Sequence, residues 1–371
     1  MADVVYLHVG APKTGTTYLQ DRLLANRHRL AEHGVSYPVG GSGDMFDAAL
    51  DLIDRPWGGH RELVRGEWDN LVQRIKRADG TVVVSHEILA GARSDQVERA
   101  LAGLDAEVHL VYSARDIARQ VPAEWQEQVK HRYRRPFSRF LKSVQAVERR
   151  DSTMWFWRVQ GLPDVLDRWA RGLPPEQVHL VTVPRSSAAP GRLWRRYCRA
   201  FGIDPRWAPE GGAARSNSSL GIDETALLRE LNRRLRKAGL DSESYRTIVR
   251  HVVVHQTLAG RTRMRPVTLP PKARAWAEEI ADEWIGYVED SGISVVGNLQ
   301  DLRPVFADAD PETEAGEAAG AAWADPDRGK PGRVADAALD ALVSVILEAA
   351  AREDEPAPQA RRSRSTRKVG K

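Results

Sequence analysis

Nearly continuous apolar runs, most of them β-branched, punctuate the first part of the chain. They occupy residues 4–9 (Val-Val-Tyr-Leu-His-Val), 81–85 (Thr-Val-Val-Val-Ser) and 108–112 (Val-His-Leu-Val-Tyr), then 178–183 and a short stretch at 293–296. Runs of this kind are the pattern of strands buried on both faces of a parallel sheet. Helical spacing of apolar residues fills residues 17–33 and 162–169 between them. The alternation predicts an α/β fold, a three-layer sandwich around a central, mostly parallel sheet.

This pattern stops near Pro304, so residues 1–304 read as one domain. Residues 305–332 are rich in Ala, Asp, Glu, Gly and Pro and read as an acidic linker. Residues 333–352 place Val334, Ala338, Leu342, Val345 and Ile346 at helical spacing, the mark of a short amphipathic surface or self-association helix. Residues 353–371 read as a disordered tail.

Charge follows these boundaries. The chain of 371 residues carries 55 Lys and Arg against 51 Asp and Glu, a net of +4. Residues 361–371 hold six bases and no acid, and residues 305–360 hold 13 acids and 4 bases, which leaves residues 1–304 at +7. The basic excess thus belongs partly to a tip that suits a nucleic-acid or partner-binding module, and the body is only mildly basic. Cys198 is the single cysteine, so an intrachain disulfide is excluded. His8 and Lys13 interrupt the first apolar run, unlike a signal peptide, and residues 341–346 are too short to span a bilayer. The expectation is a cytoplasmic protein without a transmembrane segment.

The most informative segment is Val9-Gly10-Ala11-Pro12-Lys13-Thr14-Gly15-Thr16-Thr17, between the first strand and the first helix. A tight turn there leaves backbone N–H groups unpaired at a helix start, where the dipole adds positive potential. Gly10 and Gly15 let the backbone wrap closely around an anion, and the hydroxyls of Thr16 and Thr17 add donors. A nucleoside-triphosphate loop has lysine directly after its second glycine. Here Thr16 fills that place and the lysine, Lys13, stands two residues before the glycine. A P-loop kinase or nucleotide hydrolase, with Glu87 as a metal-site acid, is therefore the second reading and not the first.

Pro-Lys-Thr-Gly-Thr-Thr directly after a first strand resembles the 5′-phosphosulfate loop of sulfotransferases, enzymes that use 3′-phosphoadenosine 5′-phosphosulfate (PAPS) as donor. The resemblance is to a bacterial-type branch and covers residues 4–125 with specific motifs. It implies that Lys13 contacts the 5′-phosphate and the bridging oxygen of the leaving group, and that Thr16 and Thr17 hold the 5′-phosphate. Thr14 and Gly15 would supply backbone donors, with Pro12 in the same loop. No metal is expected, since a moving sulfuryl group carries fewer charges than a phosphoryl group and no obvious magnesium-binding acid ends the third strand.

Residues 82–87, Val-Val-Val-Ser-His-Glu, end a buried strand with two titratable groups, where ligands of open α/β sheets bind. An acceptor hydroxyl needs a base, and both His86 and Glu87 qualify. Val84-Ser85-His86 aligns with the strand end of cytosolic sulfotransferases, whose histidine is the base, while other branches use a glutamate. Neighbours on an extended strand point to opposite sides, so one of the two faces the acceptor, and His86 is favoured.

The third strand runs into Tyr112-Ser113-Ala114-Arg115-Asp116. The resemblance gives Arg115 the 3′-phosphate, for which a planar fork of donors is suited. The serine expected eight residues later is Ala123, so Gln120 or Gln126 stands in for it. Pairing with Asp116 or capping of a helix is the structural alternative for Arg115. The glycine-rich C-terminal segment of the animal and plant enzymes is absent, with residues 261–265 (Arg-Thr-Arg-Met-Arg) the nearest candidate for its place. A basic run at 130–135 either draws in an anionic ligand or is a solvated helix face. Trp155, Phe156 and Trp157 read as core or as a stacking surface. The expected activity is transfer of a sulfuryl group from PAPS to a hydroxyl or amine of a carbohydrate, lipid or small metabolite, with no specific nucleic acid as partner.

Overall fold

Six short strands carry the apolar runs: β1 (Ala2–His8), β2 (Val35–Ser36), β3 (Gly80–Ser85), β4 (Glu107–Ala114), β5 (Val178–Thr182) and β6 (Ser294–Val296). The computed structural model describes residues 2–41, 43–55, 62–185, 188–189, 191–211, 219–306 and 323–353. Much of the expected linker and the basic tip, residues 307–322 and 354–371, lie outside the described residues.

The strands form one sheet in the order β2-β3-β1-β4-β5-β6, and every pairing is parallel. The parallel arrangement expected from the sequence thus extends to all six described strands. Consecutive residues Val82, Val83 and Val84 are all fully buried. Since neighbours on a strand face opposite ways, both faces of the sheet are covered, here by helices, which makes the fold a three-layer α/β sandwich. Phe156 and Trp157 are buried in the packing, and Trp157 donates its indole N–H to the Val144 carbonyl at 2.8 Å. The half-buried Trp155 instead lies under the Arg55 guanidinium, 3.8 Å from the ring centre.

Helix Leu162–Trp169 has the bounds its spacing predicts. The helix expected over 17–33 breaks at Asn26 into Thr16–Ala25 and Arg27–Ala31. Asn26 leaves helical geometry and its amide donates to the Arg22 carbonyl at 2.9 Å, the local competition that makes asparagine a helix terminator. Strand β2 has no counterpart in the sequence pattern, because two residues are too few to show a period.

Beyond residue 322 the chain returns to the body. Asp327 accepts the backbone N–H groups of Phe137 and Ser138 and pairs with Arg229 at 3.1 Å. Helix Pro331–Glu353 follows and buries Ala337 and Ala341 against helix Ile222–Lys237 and the π-helical segment Tyr245–Thr257. Among the described residues no helix is long and apolar enough to cross a membrane.

Candidate functional site

Register brings the sequence-predicted groups to one place. β1 lies between β3 and β4, with His8 level with Ser85 on one side and Val111 on the other. The loop after β1, the pair His86 and Glu87 after β3, and Arg115 after β4 therefore all leave the carboxyl edge of three adjacent strands. That edge, where successive connections run to opposite sides of the first strand, is the usual ligand crevice of an open α/β sheet.

Below the crevice, His8 joins the three strands. Its ring is fully buried, with Nδ1 2.8 Å from Ser85 Oγ and Nε2 3.1 Å from Ser113 Oγ. Burial holds its pKa down at about 3, with Glu87 opposing and His86 adding to the effect, so the ring is neutral. Ser113 donates its hydroxyl to the Gly10 carbonyl at 2.8 Å, so it accepts from Nε2–H, and Ser85 donates to Nδ1. Thr14 adds a bond to the Ala11 carbonyl and lies 2.6 Å from Ser113. The loop is thereby tied to the end of β4.

Two glycines set the course of the loop. Gly10 has φ +125°, and a Cβ there would stand 2.9 Å from the Glu87 carbonyl, so the loop passes close to the end of β3 only without a side chain. Gly15 has φ +88° and caps helix Thr16–Ala25. Leu19 N–H closes the first helical turn on the Gly15 carbonyl, which leaves the amides of Thr16, Thr17 and Tyr18 without intrahelical partners. Tyr197 donates to the Thr14 carbonyl at 3.1 Å from behind. Gln120 and Gln160 both donate to the Pro12 carbonyl, at 2.9 and 3.1 Å, and Gln120 also donates to Gln160 at 2.7 Å. The donor groups of Gln120 are thus spent on bracing the loop, and its buried Oε1 is left without a partner. Gln126 is turned to the Leu220 carbonyl.

Lys13 projects from this loop to Glu127, Nζ to Oε2 at 2.7 Å. The same carboxylate receives Lys130 at 3.6 Å and His131 at 3.2 Å. Burial alone would raise the Glu127 pKa, but His131, Lys13 and Lys130 outweigh it and hold the carboxyl far below the usual range. One turn earlier Glu124 is buried and its pKa is raised to about 7, by burial against the pull of Lys13 and with Glu127 adding. Neither glutamate was read from the sequence. Their spacing with Lys130 and His131, three and four residues apart after Arg115, is the signal that marks one helix face.

Arg115 donates to the Lys13 carbonyl at 3.4 Å, and its buried Nε has no partner. Burial lowers its pKa to about 10, and Arg119 adds to that. Asp116 does not neutralise it by contact. Asp116 accepts the Arg119 backbone N–H at 3.0 Å as the cap of helix Ile117–Lys130 and pairs with the Arg119 side chain. An arginine with an unmet buried donor beside a loop of unmet helix-start amides is an arrangement that suits an anion.

At the end of β3, His86 is buried and its Nδ1 accepts the Ile88 N–H at 3.3 Å. A neutral ring accepting at Nδ1 carries its proton on Nε2. Burial keeps the His86 pKa below its ordinary value. Glu87 accepts from Gln20 at 2.9 Å. Burial would raise its pKa, but His86, a backbone N–H, Gln20 and Lys13 together lower it. Beside them opens a small surface cleft lined by Gln20, Asp21, Leu24, Tyr37, Gly41, Met45 and His86.

No family model matches the chain, and no curated protein matches it. Two solved structures are similar to the chain at low score. A sulfotransferase from Alicyclobacillus acidocaldarius is 16% identical at a TM-score of 0.34, covering 65% of this chain and 98% of its own. The sulfotransferase domain from the curacin biosynthetic pathway is 14% identical at a TM-score of 0.35, covering 76% of this chain and 97% of its own. At those TM-scores and identities neither decides a function; the residues at the strand ends must carry it.

Proposed function

We propose that the crevice binds PAPS and that the protein transfers its sulfuryl group to a hydroxyl or amine held in the neighbouring cleft. The observation that carries this reading is the convergence on one loop of Lys13, placed before the second glycine, and Arg115, whose buried Nε lacks a partner. In this reading the helix-start amides with Thr16 and Thr17 hold the 5′-phosphate, and Arg115 takes the 3′-phosphate. Gln120 serves as a brace for Pro12.

PAPS supplies an activated sulfur–oxygen bond; the chain supplies position, charge and a base. Glu87, ionised and level with the loop, takes the acceptor proton as the acceptor oxygen or nitrogen bonds to sulfur. The breaking sulfur–oxygen bond leaves its electron pair on the 5′-phosphate oxygen, where Lys13 neutralises the growing charge. His86 carries its proton on Nε2 and acts as a donor toward the cleft, which reverses the preference for His86 over Glu87 read from the sequence. Tyr37 in the cleft wall has its pKa raised by burial first and then by Glu87, Asp21 and Asp44. A cleft with Asp21 in its wall, and Glu87 and Asp44 close enough to act on Tyr37, suits a neutral or amine-bearing polyhydroxyl acceptor better than an anionic one.

Incubation with PAPS and a panel of neutral, amine-bearing and anionic polyols, with release of adenosine 3′,5′-bisphosphate as readout, tests the reading. Nucleotide release that depends on a neutral or amine-bearing polyol supports it. Failure to bind adenosine 3′,5′-bisphosphate, or magnesium-dependent binding of ATP in its place, contradicts it.

A further inference from the structure

Helix Pro331–Glu353 turns Ala337 and Ala341 inward, with Val345 packed on the body beside them, and most of its other large apolar residues outward. Ala337 and Ala341 are buried against the body, and Asp340 pairs with Arg261. The opposite side carries Leu339, Leu342, Val343, Ile346 and Leu347, which are 54–65% exposed. Their spacing of three, one, three and one residues makes a continuous stripe. Single exposed leucines are ordinary; five adjacent large apolar side chains mark an interaction surface.

We propose that this stripe is the seam of a homodimer, in which the helix pairs antiparallel with the same helix of a second copy. The chain's own segments outside the described residues do not match a five-residue stripe: residues 212–218 and 307–322 contain no large apolar residue, residues 56–61 contain only Trp57 and residues 354–371 only Val369. An anionic membrane surface does not match either. No Lys or Arg lies between Arg333 and Arg352, whereas Asp336, Asp340 and Glu348 do.

A second copy meets both conditions. The helix begins beside the exposed Arg328, Lys330 and Arg333, and its last turns carry Glu348 and Glu353 against the single base Arg352. Antiparallel pairing sets each basic start against an acidic end and opposes the two helix dipoles. The contact is isologous and closes on itself, so it yields a dimer and no filament. The twofold axis then passes near Val343, with Leu339 of one copy level with Leu347 of the other. At 1.5 Å per residue, the two Leu339 positions stand about 12 Å apart along the seam.

Sedimentation velocity of the full chain between 1 and 100 µM tests this. The expected result is a dimer that V343D/I346D converts to monomer. A wild-type monomer at 100 µM, or a dimer unchanged in V343D/I346D, overturns it. Oxidative crosslinking keeps the proposal falsifiable if that variant fails to fold, since the native Cys198 is buried and does not interfere. Val343→Cys is expected to form a covalent dimer and Leu339→Cys is not, because a disulfide needs Cα atoms within about 7 Å. Crosslinking of both variants, or of neither, overturns the antiparallel seam.

Discussion

Lys13 and Glu127 are 114 positions apart in the chain and 2.7 Å apart in the fold. The lysine of the anion loop is thus held by a carboxylate that also receives Lys130 and His131. Any anion that recruits Lys13 must compete with Glu127.

Glu127→Gln removes that competitor. Affinity for adenosine 3′,5′-bisphosphate is expected to rise about three- to tenfold, the equivalent of roughly one hydrogen bond's net contribution, as read by titration calorimetry. Acid stability changes too. A carboxyl held below its ordinary pKa contributes stability that is present above the unfolded value and lost as pH falls through the folded one. The wild-type advantage over Glu127→Gln is therefore expected to shrink below the ordinary carboxylate range; unchanged separation of the two pH curves contradicts the pairing.

Glu87 and His86 give different rate profiles. If Glu87 is the base, Glu87→Gln lowers kcat by about 10²–10⁴-fold with nucleotide affinity unchanged. The pH–rate profile then stays flat down to the carboxylate range, because the pKa of Glu87 is lowered. An acid limb above the carboxylate range and below the ordinary histidine pKa, together with a larger loss in His86→Asn, assigns the base to His86.

His8 makes a stability prediction. Its folded pKa of about 3 lies below the ordinary histidine value, so the unfolded chain takes up a proton first as the pH falls. The contribution of a neutral His8 is present above about 6.5 and declines toward pH 3, by up to ~1.4 kcal/mol per pH unit. His8→Leu is expected to cost about 1–3 kcal/mol at pH 7, because Ser85 and Ser113 lose their shared partner. The gap to wild type, followed by urea denaturation, is expected to narrow on acidification. Parallel pH curves contradict the neutral bridging histidine.

The strands and the loop were legible because their signals are local: β-branched runs, two glycines and a displaced lysine within nine residues. Arg115 was legible as the residue directly after β4, and helix Leu162–Trp169 from its apolar spacing. His8 was not, because a histidine inside a strand gives no sign of the serines on two neighbouring strands that bind both its nitrogens. Gln120 read as a ligand because a donor after Arg115 was missing at Ala123. Its bond to Pro12 depends on how a helix packs on the loop, which spacing does not encode. Helix Pro331–Glu353 was legible as amphipathic, but its two apolar sides differ in size, and only packing shows that the alanine side faces the body.

The most direct measurement compares adenosine 3′,5′-bisphosphate with adenosine 5′-monophosphate by titration calorimetry, in the wild type and in Arg115→Gln. An unmet guanidinium donor that receives the 3′-phosphate is expected to give the bisphosphate about a 10- to 100-fold preference, the value of a charged hydrogen bond, and Arg115→Gln is expected to abolish it. Equal binding of the two nucleotides by the wild type, or a preference that survives Arg115→Gln, contradicts the assignment of the crevice to a 3′-phosphorylated donor.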